Sequence, residues 1–224
     1  LKSQIRGYRQ AQRNALDGMS LVQVAEGGLN EISNLMTRLR ELGVQASSDT
    51  VGEQERSFID KEVQQLKLES QRIAETTKFG STHLLDGTAD SFEFQVDINN
   101  NEFQDRISFN PAEQIATVSE LGVEDFDFTT KEGAQSALEV LESAQTSVNG
   151  MRANLGAVQN RLISTQDNLG VQIENLSAAN SRVRDADFAE SSAEMARSQI
   201  LLNASTGVLA QANQMPSQAL RLLA

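Results

Sequence analysis

The strongest constraint on this chain is a run of apolar residues at seven-residue spacing: Leu141, Val148, Leu155, Leu162, Leu169, Leu176 and Val183. A second phase, Ala137, Ala144, Met151, Val158, Thr165, Gln172, Ala179 and Ala186, interleaves with it at alternating steps of three and four. That alternation is a coiled-coil seam. Gly156 and Gly170 lie off the seam, and no Pro or Gly cluster breaks the run. A helix of about 50 residues would be about 75 Å long at 1.5 Å per residue. Such a length predicts a rod, and rods are built to assemble.

Composition agrees with thin helical packing. The 224 residues include no Cys, no Trp, one Tyr, one His and two Pro, and aromatics make up 4%. Leu, Ile, Val and Ala on helical stripes must therefore do the burying. Without Cys there are no disulfides and no thiolate metal sites, and the compartment stays open on that count. The net charge of −12 is uneven: Asp86 to Thr130 holds 11 acidic residues against Arg106 alone. This stretch reads as a solvated surface. A surface so acidic argues against nucleic acid, whose phosphates need clustered Lys and Arg. No stretch reaches the uninterrupted apolar length of a membrane span, and no signal peptide is visible. The chain opens at Leu1, already inside a helical pattern, and reads as a fragment whose natural N-terminus is removed.

The periodicity predicts a first helix from about Ser3 to Ser47. Its stripe is Ile5, Tyr8, Ala15, Met19, Val22, Leu29, Ile32, Leu35, Leu39, Leu42 and Ala46. Gly27-Gly28 should weaken it, at a cost of about 2 kcal/mol against Ala. Ser48-Asp49-Thr50 supplies a stop and a following cap. A second helix runs from about Gly52 to Thr77, with stripe Ile59, Val63, Leu66 and Ile73, and Lys78 to Thr82 breaks it. Asp86-Gly87 is a turn signal. The period then changes: Phe92, Phe94 and Val96 alternate with Glu93, Gln95 and Asp97, as in a half-buried strand. Asn99-Asn100-Asn101 is turn chemistry, and Arg106 to Phe109 reads as the partner strand. Leu121 to Thr130 is acidic loop or a short strand. Thr129 or Thr130 can cap the long helix, with Glu132 where the dipole favours an anion. Beyond Asp185-Ala186-Asp187 the phase shifts, and Phe188, Met195, Leu202 and Leu209 recur every seven residues in a last helix ending near Met215-Pro216.

The expected fold is therefore mainly α: an elongated rod of long helices in coiled-coil packing, with a small β-hairpin inserted near residues 86–130. Nothing in the pattern predicts catalysis. His83 lies in a turn and has no matched ligands for a metal site. There is no HExxH, no phosphate-cradling loop and no GxSxG elbow. Glu124 and Asp125 sit in a generally acidic loop without apolar surroundings to raise a pKa. No enzyme activity, cofactor or metal is expected. Phe188 to Ala224 is amphipathic yet lacks an obvious partner in the chain, and such a helix must find one in another chain, stay disordered or aggregate.

Several motifs then become familiar. Gln12-Arg13-Asn14-Ala15 and Asp17-Gly18-Met19-Ser20 lead into Ala25 to Ile32 and Arg38-Leu39-Arg40-Glu41-Leu42-Gly43-Val44-Gln45. Phe79-Gly80 is followed by Leu84-Leu85-Asp86-Gly87. Gly156 to Leu162, Ser181 to Phe188 and Leu209 to Gln214 close the chain. In this order they resemble the bacterial flagellins over essentially everything but the acidic middle.

The resemblance implies a division into residues 1–185, the rod-like helical domain with its hairpin, and residues 186–224, the C-terminal half of an inner coiled coil. It implies a structural subunit that polymerises with itself into the bacterial flagellar filament for swimming motility, secreted and extracellular. Export would use the flagellar type III apparatus and a chaperone on the C-terminal helix, with cap and junction proteins as further partners. The seam Leu141, Val148, Leu155, Leu162, Leu169 and Leu176 would hold the rod, and Phe188, Met195, Leu202 and Leu209 would serve inner-domain assembly. In members detected by host Toll-like receptor 5 the matching contact positions are Arg38, Leu42 and Glu62, with Arg40, Glu41 and Gln45 beside them. The same residues could serve subunit packing alone. A hook–filament junction protein and a secreted rod that does not polymerise are the rival readings, and a zinc-protease insert lacks both the length and the HExxH residues.

Overall fold

The computed structural model describes residues 1–184 and 188–222. Two compact units are present: Ser3–Ile173, and Leu1–Lys2 together with the chain from Glu174 onward.

The first unit is built on three long helices. Helix α1 spans Lys2–Ala46, α2 spans Glu53–Thr76, and α4 starts at Lys131 and continues to Arg184. Ion pairs and polar contacts fix their directions. Arg38 meets Glu62, so α2 runs back along α1. Arg40 faces Glu142, Ser33 faces Gln145 and Glu26 faces Arg152, so α4 also runs antiparallel to α1. Between them lies one continuous core that includes Leu29, Ile32, Met36, Leu39, Leu42, Val63, Leu141, Val148, Leu155 and Leu162.

The helix ends are set by local chemistry. Arg56 is buried on α2, and its guanidinium donates to the carbonyls of Ala46 at 2.8 Å and Ser48 at 2.9 Å. Those carbonyls have no partner within α1, so the cation closes the C-terminal end of that helix. At the start of α2 the Gly52 N–H donates to Glu55 Oε2 at 2.5 Å. Thr130 caps α4: its Oγ1 accepts from the Gly133 N–H at 3.0 Å.

Gly27-Gly28 does not interrupt α1. A Cβ on Gly28 would lie 2.6 Å from Thr77 Oγ1 and 2.8 Å from Leu85 Cδ1. The missing side chain lets the end of α2 and the following turn press against α1, and that packing offsets the propensity cost. Gly18 is a second such seat, where a Cβ would stand 3.0 Å from the Phe94 ring.

After α2 come two small antiparallel ladders. The first, β1 (Lys78–Phe79) with β2 (Thr82–His83), turns at Gly80, whose φ of 62° is easy only for glycine. Its pattern was too short to give a sequence signal. The second is the predicted hairpin: β3 (Phe92–Gln95) pairs with β4 (Arg106–Phe109), Phe92 opposite Phe109 and Gln95 opposite Arg106. A one-turn helix, α3 (Glu102–Asp105), sits between these strands. Leu121 to Thr130 forms turns instead of a strand, pinned by buried Leu121, Val123 and Phe128.

The seam of α4 is buried as far as Leu169: Leu141, Val148, Leu155, Leu162 and Leu169 are all at 3% exposure or less. Each such side chain contributes roughly 1.5–3 kcal/mol of burial. Leu176 departs from the expectation, being only half-buried and outside the unit that ends at Ile173. Val183 is exposed. The counter-running register explains the change, because Gly170 is already level with Gln12, near the first turns of α1.

The other unit contains the end of α4 and helix α5, Phe188–Leu222. This helix passes Met215-Pro216, where the sequence predicted an end; proline's φ is itself helical, and its cost is one missing N–H and local crowding.

Candidate assembly surfaces

The first surface is the outer side of α1 and α2. Arg38 Nη1 lies 3.0 Å from Glu41 Oε2, and its Nη2 lies 2.9 Å from Glu62 Oε1. The hydrogen bond to Glu62, followed by that to Glu41, raises the Arg38 pKa above its ordinary value. Three of the predicted receptor positions are thus brought together in one exposed cluster. Gln45 is also exposed. Arg40 is not part of that cluster, since two residues along a helix turn it to the other flank, where its guanidinium reaches Glu142 at 3.5 Å.

Leu42 corrects the sequence expectation. It is 2% exposed and belongs to the core, so it supports the patch from beneath instead of offering a contact. Its place on the apolar stripe of α1 already carried this signal. Exposed apolar groups on these two helices include Val44 on α1 and Phe58 and Leu68 on α2. They lie off the buried stripes, which is why periodicity passed over them.

Sequence reasoning also missed Lys67. It is buried, and its Nζ donates to the carbonyls of Glu124 at 2.7 Å and Phe126 at 2.6 Å. The ammonium stands 4.2 Å from the Phe126 ring centroid. Burial pushes its pKa down, against the opposing pull of Asp60, Asp125, Asp127 and Glu124. With Asp60 Oδ1 accepting from the Phe128 N–H at 2.9 Å, this lysine holds the acidic segment onto α2. The lone histidine is structural in the same sense: His83 Nδ1 donates to the Glu75 carbonyl at 2.5 Å, tying β2 to α2.

The second surface is α5. Met195, Ile200, Leu201, Leu202, Val208 and Leu209 are each 61–68% exposed. The side chain of Phe188, predicted to belong to the same series, lies outside the described residues. Isolated exposed apolar residues are ordinary, but a periodic series along one helix marks an interaction face. Among the described residues no cluster of His, Cys, Asp and Glu is arranged to hold a metal, and no helix is long and apolar enough to cross a membrane.

Long antiparallel helices with a seam packed as far as Leu169, together with a helix whose apolar series is left open, define a structural protein of the helical-assembly class. Comparison with known proteins makes the class specific. The bacterial flagellin N-terminal helical region matches residues 1–90, and the bacterial flagellin C-terminal helical region matches residues 138–223. A flagellin of Halalkalibacterium halodurans is 43% identical over 223 residues, covering all of this chain and 81% of that protein. The crystal structure of Bacillus cereus flagellin is similar with a TM-score of 0.62 and 30% identity, covering 75% of this chain and 94% of that one. The structure of Bacillus cereus FlgL shares the fold at 16% identity and a TM-score of 0.53, over 80% of this chain and 95% of that chain. The chain belongs to the bacterial flagellin family. Its role is that of a structural subunit of the extracellular flagellar filament, the organelle of swimming motility.

Proposed function

We propose that residues 1–185 act as the rod domain of this subunit, packing side by side with copies of itself, and that residues 186–224 form part of an inner coiled coil. The open apolar series of α5, running through Met195, Leu202 and Leu209, is the single observation that carries this reading. Burying such a series is worth roughly 25 cal/mol per Å² of apolar surface. Subunit association is heterologous, so each added copy presents a fresh site and the assembly propagates without closing. Small switches between packings let the tube curve, and curvature converts rotation into thrust.

An apolar helix that is covered only after assembly needs cover before it. An export chaperone on α5, handing over to the type III apparatus, meets that need, and cap and junction proteins act on the same helical ends. The test is electron microscopy of the purified protein incubated with short filament seeds. Long helical tubes are expected. Persistent monomers would sink the packing reading and favour a secreted rod.

A second activity is recognition by host Toll-like receptor 5. The support is the exposed Arg38–Glu41–Glu62 cluster, with Gln45 beside it and Arg40 on the flank. Arginine is a frequent anchor of interfaces. Arg38→Ala is expected to lower receptor signalling by tenfold or more; unchanged signalling would remove the assignment.

A further inference from the structure

Phe103 is 91% exposed at the tip of the β3–β4 hairpin. The turn around it is tied together by hydrogen bonds. Asn101 Oδ1 accepts from the N–H groups of Phe103 at 3.1 Å and Gln104 at 3.4 Å. The Asp105 carboxylate, almost fully buried, accepts from the Asn101 N–H at 2.6 Å. Arg106 Nη2 donates to Asn100 Oδ1 at 2.6 Å, and the Val96 N–H donates to the Asp105 carbonyl at 2.8 Å. This network fixes the backbone that carries the ring. An aromatic side chain held outward on a fixed turn is pre-organised as an anchor, because little ordering entropy remains to be lost on docking.

A complementary face lies on α2. Phe58, Lys61, Gln65 and Leu68 follow helical steps of three and four and form one outward strip. Phe58 and Leu68 are 57% and 64% exposed, and Lys61 Nζ stands 5.5 Å from the Phe58 ring centroid. The hairpin tip carries the opposite charge, with exposed Glu102 next to Phe103 and Asp97 nearby in sequence. An acidic tip with one aromatic knob therefore matches a strip with two apolar seats and the Lys61 ammonium between them.

The two features cannot meet within one subunit. The hairpin lies along the start of α1, where Ile98 packs at Gly7, whereas the α2 strip lies near Arg38, which pairs with Glu62. These α1 positions are about 46 Å apart at 1.5 Å per residue. We propose that Phe103 of one subunit docks on the Phe58–Leu68 strip of the next copy, a heterologous contact that repeats along the bundle axis. The inference rests on the side-by-side packing proposed above and names one of its contacts.

The chain has no cysteine, so introduced thiols report without background. Filaments grown on cells co-expressing Gln104→Cys and Gln65→Cys chains are oxidised and their subunits separated. Disulfide dimers are expected at tenfold or more above filaments pairing Gln104→Cys with Glu139→Cys, since a disulfide needs Cα atoms within about 7 Å. Equal yields, or equal dimerisation of Gln104→Cys alone, would overturn the contact. If the cysteine pair prevents filaments, the decision falls to seeded growth. Phe103→Ser, and separately Phe58→Ser with Leu68→Ser, are each expected to raise the subunit concentration needed for elongation about tenfold. Combining them should add little, and fully multiplicative losses would overturn the contact. Normal filaments with neither effect would reject this contact and leave the packing reading standing. Failure of the unsubstituted chain to polymerise would reject the packing reading first.

Discussion

The first part of α4 and helix α5 are written in the same grammar and meet opposite fates. Leu141, Val148, Leu155, Leu162 and Leu169 are sealed within the bundle, whereas Met195, Leu202 and Leu209, at the same heptad spacing, stand open. A heptad states which face of a helix must be covered. It does not state what covers it. In α4 the answer is α1, and the antiparallel pairs Arg40–Glu142 and Glu26–Arg152 show where it lies. In α5 the described residues leave the series uncovered, and the packing proposed above assigns its cover to an assembled neighbour.

The sharpest way to break this contrast is to remove one leucine from each helix. Leu155→Ala is expected to destabilise the bundle by about 2–5 kcal/mol, the usual range for a buried cavity. Leu202→Ala should leave unfolding of the isolated chain within about 0.5 kcal/mol and weaken seeded elongation instead. Chemical denaturation and elongation assays on the same two proteins separate the roles; equal unfolding losses would erase the distinction.

A smaller effect is expected at the paired glycines of α1. Gly28→Ala should cost about 1–3 kcal/mol, because its methyl would collide with Thr77 and Leu85. Gly27→Ala meets nothing within 4 Å and should stabilise by up to about 1 kcal/mol. Thermal unfolding of the two variants would give shifts of opposite sign.

Lys67 predicts a pH dependence. Its folded pKa is depressed by burial below the ordinary 10.5, so the folded state holds this proton less tightly than the unfolded chain. Relative to Lys67→Met, the native protein should therefore gain stability as pH rises from the folded pKa to about 10.5. That gain should be lost as pH falls back through the folded value. Denaturation midpoints of both proteins across alkaline pH test the sign, and a flat difference would refute it. The smallest effect belongs to Arg38→Ala: its ion pairs are exposed and screened by solvent, so the unfolding midpoint should hardly move. A larger loss would make Arg38 a structural residue and weaken its reading as a recognition group.

The parts of the fold that repeat were legible in the sequence. Period-seven spacing located α4, and alternation around Asn99-Asn100-Asn101 located the β3–β4 hairpin. The parts that depend on a single tertiary contact were not. Arg56 and Lys67 look like solvent-facing charges, yet each is buried because it answers a set of backbone carbonyls contributed by another segment. Leu42 was misjudged in the other direction. The motif placed it beside Arg38 and Glu41, while its own stripe placed it inward, and packing decided. Phe103 gave no sequence signal, since one aromatic residue in a turn has no period to break.

The glycine seats on α1 have a mechanical consequence. Phe94 rests over Gly18, Thr77 and Leu85 over Gly28, and Leu138 with Phe128 over Gly43. Each neighbour occupies the space that a side chain would fill, and the residues one turn earlier on the same face, Asn14, Val24 and Leu39, carry larger groups. Sliding α1 along its axis by one turn, about 5.4 Å, would drive those groups into all three notches together. The helix is held by detents, so a torsional load on a rotating filament meets a bundle that resists internal shear and passes the strain to the joints between subunits.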